Sequence, residues 1–356
     1  MTLPDRTSVD GHAMHVERAW PRSRFDVSIE LADGDGQRVA GQWFADDGLA
    51  EREVTRTPGA RRCDDPGFVL QADGADRKLP HLAEAARRGD LLVHRPGKRA
   101  VLRTARGTYR KLTRPGRARA LVDWHVALHD ALDGVAEVPS VLTHGDAELE
   151  LAAVPGVAPP EAQHHAEALW ASWWRRVGTC LAALRTVTTP TLPAHTASDE
   201  LAVVLRWLDL AMAYGLLEER DVTAELRPLL DQRPTALALA HRDLHDGQLL
   251  FDDMGVAVLD ADTIARAEPA LDLANLLVHL ELRVEQNILD RRAAAIATDA
   301  LLGDPALSSS TLARLRIYAT TARLRLAGVY AFRPRWRPLA RRWLLTETSL
   351  ERTLRG

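Results

Sequence analysis

Cysteine is nearly missing from this chain. Cys63 and Cys180 lie far apart and form no CxxC pair. That excludes a disulfide-stapled scaffold and a cysteine zinc site, and it fits a reducing compartment. Lysine is almost as scarce: Lys78, Lys98 and Lys111 are the lysines among 46 basic residues, the rest being arginine. A lysine at a chemically useful place therefore stands out. Long apolar runs are absent too. The stretch from Leu271 to Leu282 is broken by Asp, Asn, His and Glu, short of the roughly 18 apolar residues a membrane span needs. The N-terminus has no basic region followed by an apolar core, so no export signal is read and a cytoplasmic location is expected. There is no repeated unit and no low-complexity segment.

What remains is an ordinary globular balance: 356 residues, 46% hydrophobic, 27% charged, formal net charge -3. That length suits about two domains, or two lobes and an appendage.

Residues 1–88 read as a small α+β unit. Phe25, Val27, Ile29 and Leu31 alternate with polar residues, Asp33-Gly34-Asp35-Gly36 supplies a turn, and Val39, Gly41 and Trp43 resume the alternation, which predicts a hairpin. Polar helices are predicted over 46–55 and 79–88. From Gly89 the pattern changes. Strands are predicted at 91–93, 99–104 and 108–112, separated by Pro96-Gly97-Lys98 and Ala105-Arg106-Gly107. A helix over 117–132, which Pro115 could open, and strands at 138–143 and 148–154 follow. Beyond Glu161 helices dominate. Leu169, Trp170, Trp173, Trp174, Val177 and Leu181 recur at helical spacing and are read as a buried face. Helices are predicted over 198–216 and 222–231, a hairpin over 249–259, and helices from Ala270 onward.

The chemistry is concentrated in His241-Arg242-Asp243-Leu244-His245-Asp246-Gly247-Gln248, followed by a strand ending at Asp260 and by Asp262. A carboxylate at a strand end is exposed at the mouth of a sheet, where it can hold a hard cation, and an amide oxygen makes a second ligand. Asp243 is then left to accept a proton from a hydroxyl. One base and two metal ligands are what phosphoryl transfer needs.

The run HRDLHDGQLL…VAVLDAD…PALDLANLL resembles the catalytic region of the aminoglycoside phosphotransferase family, within the protein-kinase-like superfamily. The family form is H-G-D-x-H-x-x-N, a strand ending in Asp, then D-P-x-x-D-L-A. The resemblance implies an α+β, bilobal protein-kinase-like fold from Gly89 onward. It places a nucleotide-binding sheet lobe and hinge at 89–156 and a helical catalytic and acceptor-binding lobe at 157–356, with 1–88 as a cap-like unit ahead of them. It implies Asp243 as catalytic base, Gln248 and Asp260 as Mg²⁺ ligands, Asp262 as a helper, and His241 and Asp272 as supports of the loop. Lys111 would pair the phosphates of ATP or GTP, Ala152 and Val154 would lie in the adenine-binding hinge, and Pro96-Gly97-Lys98 would take the place of the phosphate-covering loop. The implied acceptor is a sugar, amino sugar or aminoglycoside.

The chain departs from the family form in four ways. Gln248 stands where Asn is usual. Arg242 stands where Gly is usual and is expected to form a local salt bridge. The helix after Lys111 has no glutamate, leaving Asp123 as the best counter-ion. Residues 1–88 lie outside the common core, although some bacterial sugar kinases of the superfamily carry a similar region. Gln248, the missing helix glutamate and the unplaced N-terminal unit motivate a second reading, a non-catalytic nucleotide-binding regulator resembling a pseudokinase.

Other features carry plainer readings. His125 and His129 have i,i+4 spacing but no Glu beside the first, so a helix pair is expected rather than zinc. Adjacent His164 and His165 are read as surface. Ten Arg/Lys run from Arg95 to Arg119 without an acid, and nine Arg lie between Asp304 and Glu347. A phosphate-facing lobe and a helical-lobe surface account for them, so nucleic-acid binding is not expected. Glu268, Glu281, Glu285 and Asp290 are expected in helices near the acceptor, where acids would suit a cationic amino sugar.

Overall fold

The computed structural model describes residues 2–188, 191–305 and 307–354. The chain opens with β1 (Arg6–Val9), β2 (His12–Pro21), β3 (Asp26–Ala32), β4 (Arg38–Phe44), α1 (Asp47–Arg56), β5 (Arg61–Arg62), β6 (Phe68–Leu70) and α2 (Leu82–Ala86). Its six strands form an antiparallel sheet in the order β1-β2-β3-β4-β6-β5. The β3–β4 hairpin is the one predicted. The β1–β2 hairpin was not predicted; it turns at Asp10-Gly11, both at positive φ, the conformation a two-residue turn requires. β3 is buried on both faces rather than one, because the next sheet covers its polar side. There Ser28 donates to the Pro96 carbonyl, while within the first sheet Glu30 takes a forked pair of bonds from Arg18 on β2.

The second sheet holds β7 (Gly89–Arg95), β8 (Arg99–Thr104), β9 (Tyr109–Thr113), β10 (Val141–His144) and β11 (Glu148–Leu151), in the order β10-β11-β9-β8-β7. Between β9 and β10 runs α3 (Ala118–Leu132), which buries Leu121, Val122, Leu128 and Leu132. Each of these elements overlaps its predicted range. The helix begins at Ala118 because Pro115 and Gly116, the latter at φ 75°, belong to the turn before it.

The remainder is helical: α4 (Pro159–Ala162), α5 (Glu167–Thr186), α6 (Ala197–Ala213), α7 (Thr223–Asp231), α8 (Ala270–Glu285), α9 (Arg291–Leu302), α10 (Ser309–Ala331), α11 (Arg337–Leu345) and α12 (Ser349–Thr353). Between α7 and α8 four short strands pair as β12 (Ala238–Ala240) with β15 (Ala265–Ala267), and β13 (Leu249–Phe251) with β14 (Val256–Val258). The tryptophans of α5 pack around Phe251, with Trp170, Trp173 and Trp174 at centroid distances of 5.8, 5.2 and 5.5 Å. Their indoles remain satisfied where a partner is in reach: Trp170 donates to Ala293 O and Trp173 to Asp252 O. This cluster seats the β13–β14 hairpin, and with it Asp260, on the helical lobe. α8 is buried on nearly every side from Ala270 to Leu280, and its enclosed polar groups Asp272, Asn275 and His279 all have hydrogen-bond partners. Among the described residues no helix is long and apolar enough to cross a membrane. Cys63 and Cys180 are both free and buried.

Candidate active site

The loop after β12 is held from beneath by α8. Asp272, in the first turn of that helix, accepts from the backbone N–H of His241 and of Arg242, each at 2.7 Å. His241 Nε2 donates to Leu259 O at 2.7 Å, and Thr263 Oγ1 donates to His241 O at 2.9 Å. Asn275 Nδ2 donates to Leu244 O at 2.8 Å. The loop conformation is thus fixed at several backbone groups rather than by its own propensity. Arg242 sits at φ 68°, in the left-handed region where glycine is at ease. Among the described residues it makes no salt bridge, no carboxylate lying within ion-pair distance; its guanidinium donates to Thr263 O at 3.1 Å. Asp243 is half-buried, and its carboxylate has no hydrogen-bond or ion-pair partner among the described residues.

The β13–β14 hairpin brings the second carboxylate alongside. Leu259 N donates to Gln248 O at 2.9 Å, so Gln248 lies one ladder position from Asp260. Asp260 itself is left-handed at φ 58°, which turns the chain out of the strand. Two cations from the sheet lobe meet the carboxylates here. Lys111 Nζ on β9 lies 2.8 Å from Asp260 Oδ1 and 2.6 Å from Asp262 Oδ1. Arg99 on β8 pairs with Asp262 and reaches Asp260 Oδ2 at 3.5 Å. Burial alone would raise the Asp260 carboxyl, but the Lys111 and Arg99 charges outweigh it and hold it far below the usual carboxylate range. Burial opposes the charge on Arg99 as well, yet Asp260, Asp262 and Asp243 together keep its pKa raised. Asp123 plays no part: it is exposed and pairs with Arg119 one turn away, at 3.1 Å. Lys111 meets the carboxylates that follow β14 rather than one on α3.

These groups suit a hard divalent cation. The donors are carboxylate oxygens of Asp260 and Asp262 and the amide oxygen of Gln248, which has no partner among the described residues. An ammonium and a guanidinium already bring two positive charges to the two carboxylates. No group of three or more His, Cys, Asp or Glu gathers in metal-holding geometry among the described residues.

Just after β11, Ala152 N donates to Ser140 O at 2.9 Å. The Ala152 carbonyl and the Val154 N–H have no backbone partner among the described residues, and both residues are half-buried. The turn between β7 and β8 is gripped from outside. Gly97 N and His94 Nε2 both contact Asp76 Oδ2, Arg22 donates to Pro96 O, and Arg114 Nε donates to Gly97 O at 2.6 Å.

The sequence did not connect His245, Asp246, His279, Arg283 and Tyr330. Asp246 accepts from Arg283 Nε at 2.8 Å, and Arg283 donates to Tyr330 Oη at 3.2 Å. The His245 ring stacks on His279, with centroids 4.7 Å apart. His245 and Asp246 are inside the loop motif, but their partners on α8 and α10 follow dozens of residues later, with no local signal to link them.

The acids expected beside an acceptor are used otherwise. Glu268 is buried against Arg314, Tyr318 and Thr235. Glu281 caps α12 through Ser349 N and Leu350 N, and Glu285 holds Arg342 and Trp343. Asp290 caps α9. The histidine pairs are plain: His125 is buried with Nδ1 donating to Leu121 O, while His129, His164 and His165 are exposed.

The sequence profile described as the phosphotransferase enzyme family matches residues 91–307, more than half of the chain. Among solved structures, the gentamicin complex of APH(2")-IIa is similar at 11% identity and a TM-score of 0.50, over 75% of this chain and 94% of that one. The macrolide 2'-phosphotransferase MphH of Brachybacterium faecium is 21% identical with a TM-score of 0.46, over 70% and 89%. An ethanolamine kinase of Plasmodium vivax is 9% identical with a TM-score of 0.49, over 75% and 84%. No curated protein matches the chain.

Proposed function

Because the chain belongs to the phosphotransferase enzyme family, we propose that it transfers the γ-phosphoryl group of ATP or GTP to a hydroxyl of a small polar acceptor. The acceptor class is a sugar or a related polyhydroxylated molecule. The observation that carries this reading is the meeting of Lys111 from one lobe with Asp260 and Asp262 from the other, next to the carboxylate of Asp243, which has no partner among the described residues.

In this mechanism the adenine edge lies against the Ala152 carbonyl and the Val154 N–H. Lys111 and Arg99 turn from the aspartates toward the phosphates when the nucleotide arrives. Gln248 and Asp260 would hold Mg²⁺, with Asp262 beside them; bound there, the ion neutralises charge on the phosphate oxygens. Asp243 orients the acceptor hydroxyl and takes its proton. His241 and Asp272 keep the loop in place. Rate enhancement then comes from position and charge more than from covalent chemistry. We assign residues 1–88 as a cap, 89–156 as the nucleotide lobe and 157–356 as the catalytic lobe. Two free thiols and a nucleotide donor fit the cytoplasm.

The test is ADP release from Mg–ATP across neutral sugars, amino sugars, sugar phosphates and aminoglycosides. Asp243→Ala should lower turnover by roughly 10²–10⁴-fold, the usual contribution of a positioned base, and leave Mg–ADP binding intact. Normal turnover by that variant would remove Asp243 from the mechanism. Nucleotide binding without turnover of any acceptor would favour the pseudokinase-like reading.

A further inference from the structure

Glu268, Glu281, Glu285 and Asp290 are all committed to arginines, a tyrosine, an indole or helix ends. They offer nothing to a cationic acceptor. The opposite charge gathers on the other side of Asp262. There a cavity of about 520 Å³ opens between the β2–β3 turn, the β7–β8 turn, the start of α3 and α6. Arg22, Arg95, Lys98, Arg114, Arg117 and Arg206 line it, and Asp262 is its one acid. Asp262 is already answered by Lys111 and Arg99. Arg95, Lys98, Arg114, Arg117 and Arg206 have no carboxylate within ion-pair distance among the described residues. Half-buried Arg95 is stacked over Trp20 at 5.3 Å, and burial together with Arg99, Arg22 and Arg206 pushes its pKa down to about 10. Like charges collected in a concavity without counter-charges repel one another, and a bound anion removes that strain. Leu121 and Trp124 add an apolar wall, the mixture of apolar surface and a few charged groups that small-molecule sites show. The hinge borders none of this cavity, whereas Thr263, which donates to His241 O, does. The cavity therefore adjoins the Asp243 loop and extends away from the nucleotide's base.

We propose that this cavity receives the acceptor, and that the acceptor is an alcohol bearing an anionic group, a phosphate monoester or a carboxylate. The inference rests on the phosphotransfer reading and names its acceptor class. The guanidinium groups hold the anion, the ring of the acceptor lies on Trp124, and its hydroxyl points to Asp243. The acceptor oxygen forms a bond to the γ-phosphorus. The bond from that phosphorus to the β–γ bridging oxygen breaks, its electron pair leaves with the nucleoside diphosphate, and the hydroxyl proton passes to Asp243.

The test titrates the full chain with inorganic phosphate, glucose 6-phosphate, gluconate, glucose and glucosamine, with and without saturating Mg–ADP. Calorimetry and thermal shift report binding, and ADP release reports turnover. The three anions should bind with Mg–ADP present, more weakly as salt rises, while glucose and glucosamine should bind at least tenfold more weakly. Arg206→Glu and Arg117→Glu, both at exposed positions, should each lower glucose 6-phosphate affinity tenfold or more. Competition between every anion and Mg–ADP would assign the cavity to the nucleotide's own phosphates and overturn the proposal. So would glucosamine binding or turning over better than glucose 6-phosphate, or anion affinity unchanged in both variants. Failure of the chain to bind Mg–ADP would instead strike the phosphotransfer reading, while the anion titration still reports on the cavity.

Discussion

Lys111 shows how a single charge can be legible as important and still be assigned the wrong neighbour. Its rarity and its strand position mark it in the sequence. Its partners, Asp260 and Asp262, are 149 and 151 residues away, and nothing local announces them. The search for a counter-ion on the following helix found Asp123, which is exposed and bonded to Arg119 instead. Asp123→Asn should therefore leave nucleotide affinity unchanged and stability within about 0.5 kcal/mol, as for other exposed pairs on a helix. A calorimetric titration with Mg–ADP and a denaturant melt would check both. The loop from His241 to Gln248 and the aspartates at 260 and 272 were more readable, because their types and spacing sit in one short stretch. Arg242 was not: its left-handed backbone is invisible in a residue type that usually avoids it.

At the level of elements, legibility followed local chemistry. β8, α3 and the β13–β14 hairpin were found because turns and periodicity bound them tightly. The Asp10-Gly11 turn carried the same kind of signal for β1 and β2 and went unused. β12 and β15 had no signal to give: Ala238-Leu239-Ala240 and Ala265-Arg266-Ala267 pair because the surrounding helices bury them, not because alanine favours a strand. α8 carries a titration hidden within an apolar run. His279 is fully enclosed, its Nδ1 donates to Asn275 O, and burial, followed by the nearby His245, holds its pKa well below the ordinary value. The folded state thus keeps this ring neutral while the unfolded chain protonates it near pH 6.5. Stability is present above that pH and lost as pH falls below it. Urea melts between pH 7 and pH 5.5 should show stability falling with pH, and His279→Leu should flatten that slope.

For the molecule as a whole, the N-terminal unit ties the two lobes together. It holds the β7–β8 turn through Arg22 and Asp76. It holds the helical lobe through Ala19 N to Phe332 O, Ser23 O to Tyr214 Oη, and Asp5 to Arg337. Removing Asp76 would leave the Gly97 N–H and the buried His94 ring without their acceptor. Asp76→Ala should cost about 2–3 kcal/mol, the scale for orphaning buried donors beside a charged acceptor, and should weaken Mg–ADP binding as the turn loosens. A thermal melt and a nucleotide titration together would separate the two effects. None of this clamp was visible in the sequence, since each contact joins segments remote along the chain.

In the phosphotransfer proposed above, exchange of spent nucleotide would part the lobes, and the N-terminal unit is fastened to both. Each cycle would then contain a mechanical step, in which Arg22 lets go of Pro96 before product leaves. A step of that kind drags against the solvent. Turnover should slow as sucrose thickens the medium, and Arg22→Ala, measured in the same sucrose series, should flatten that dependence.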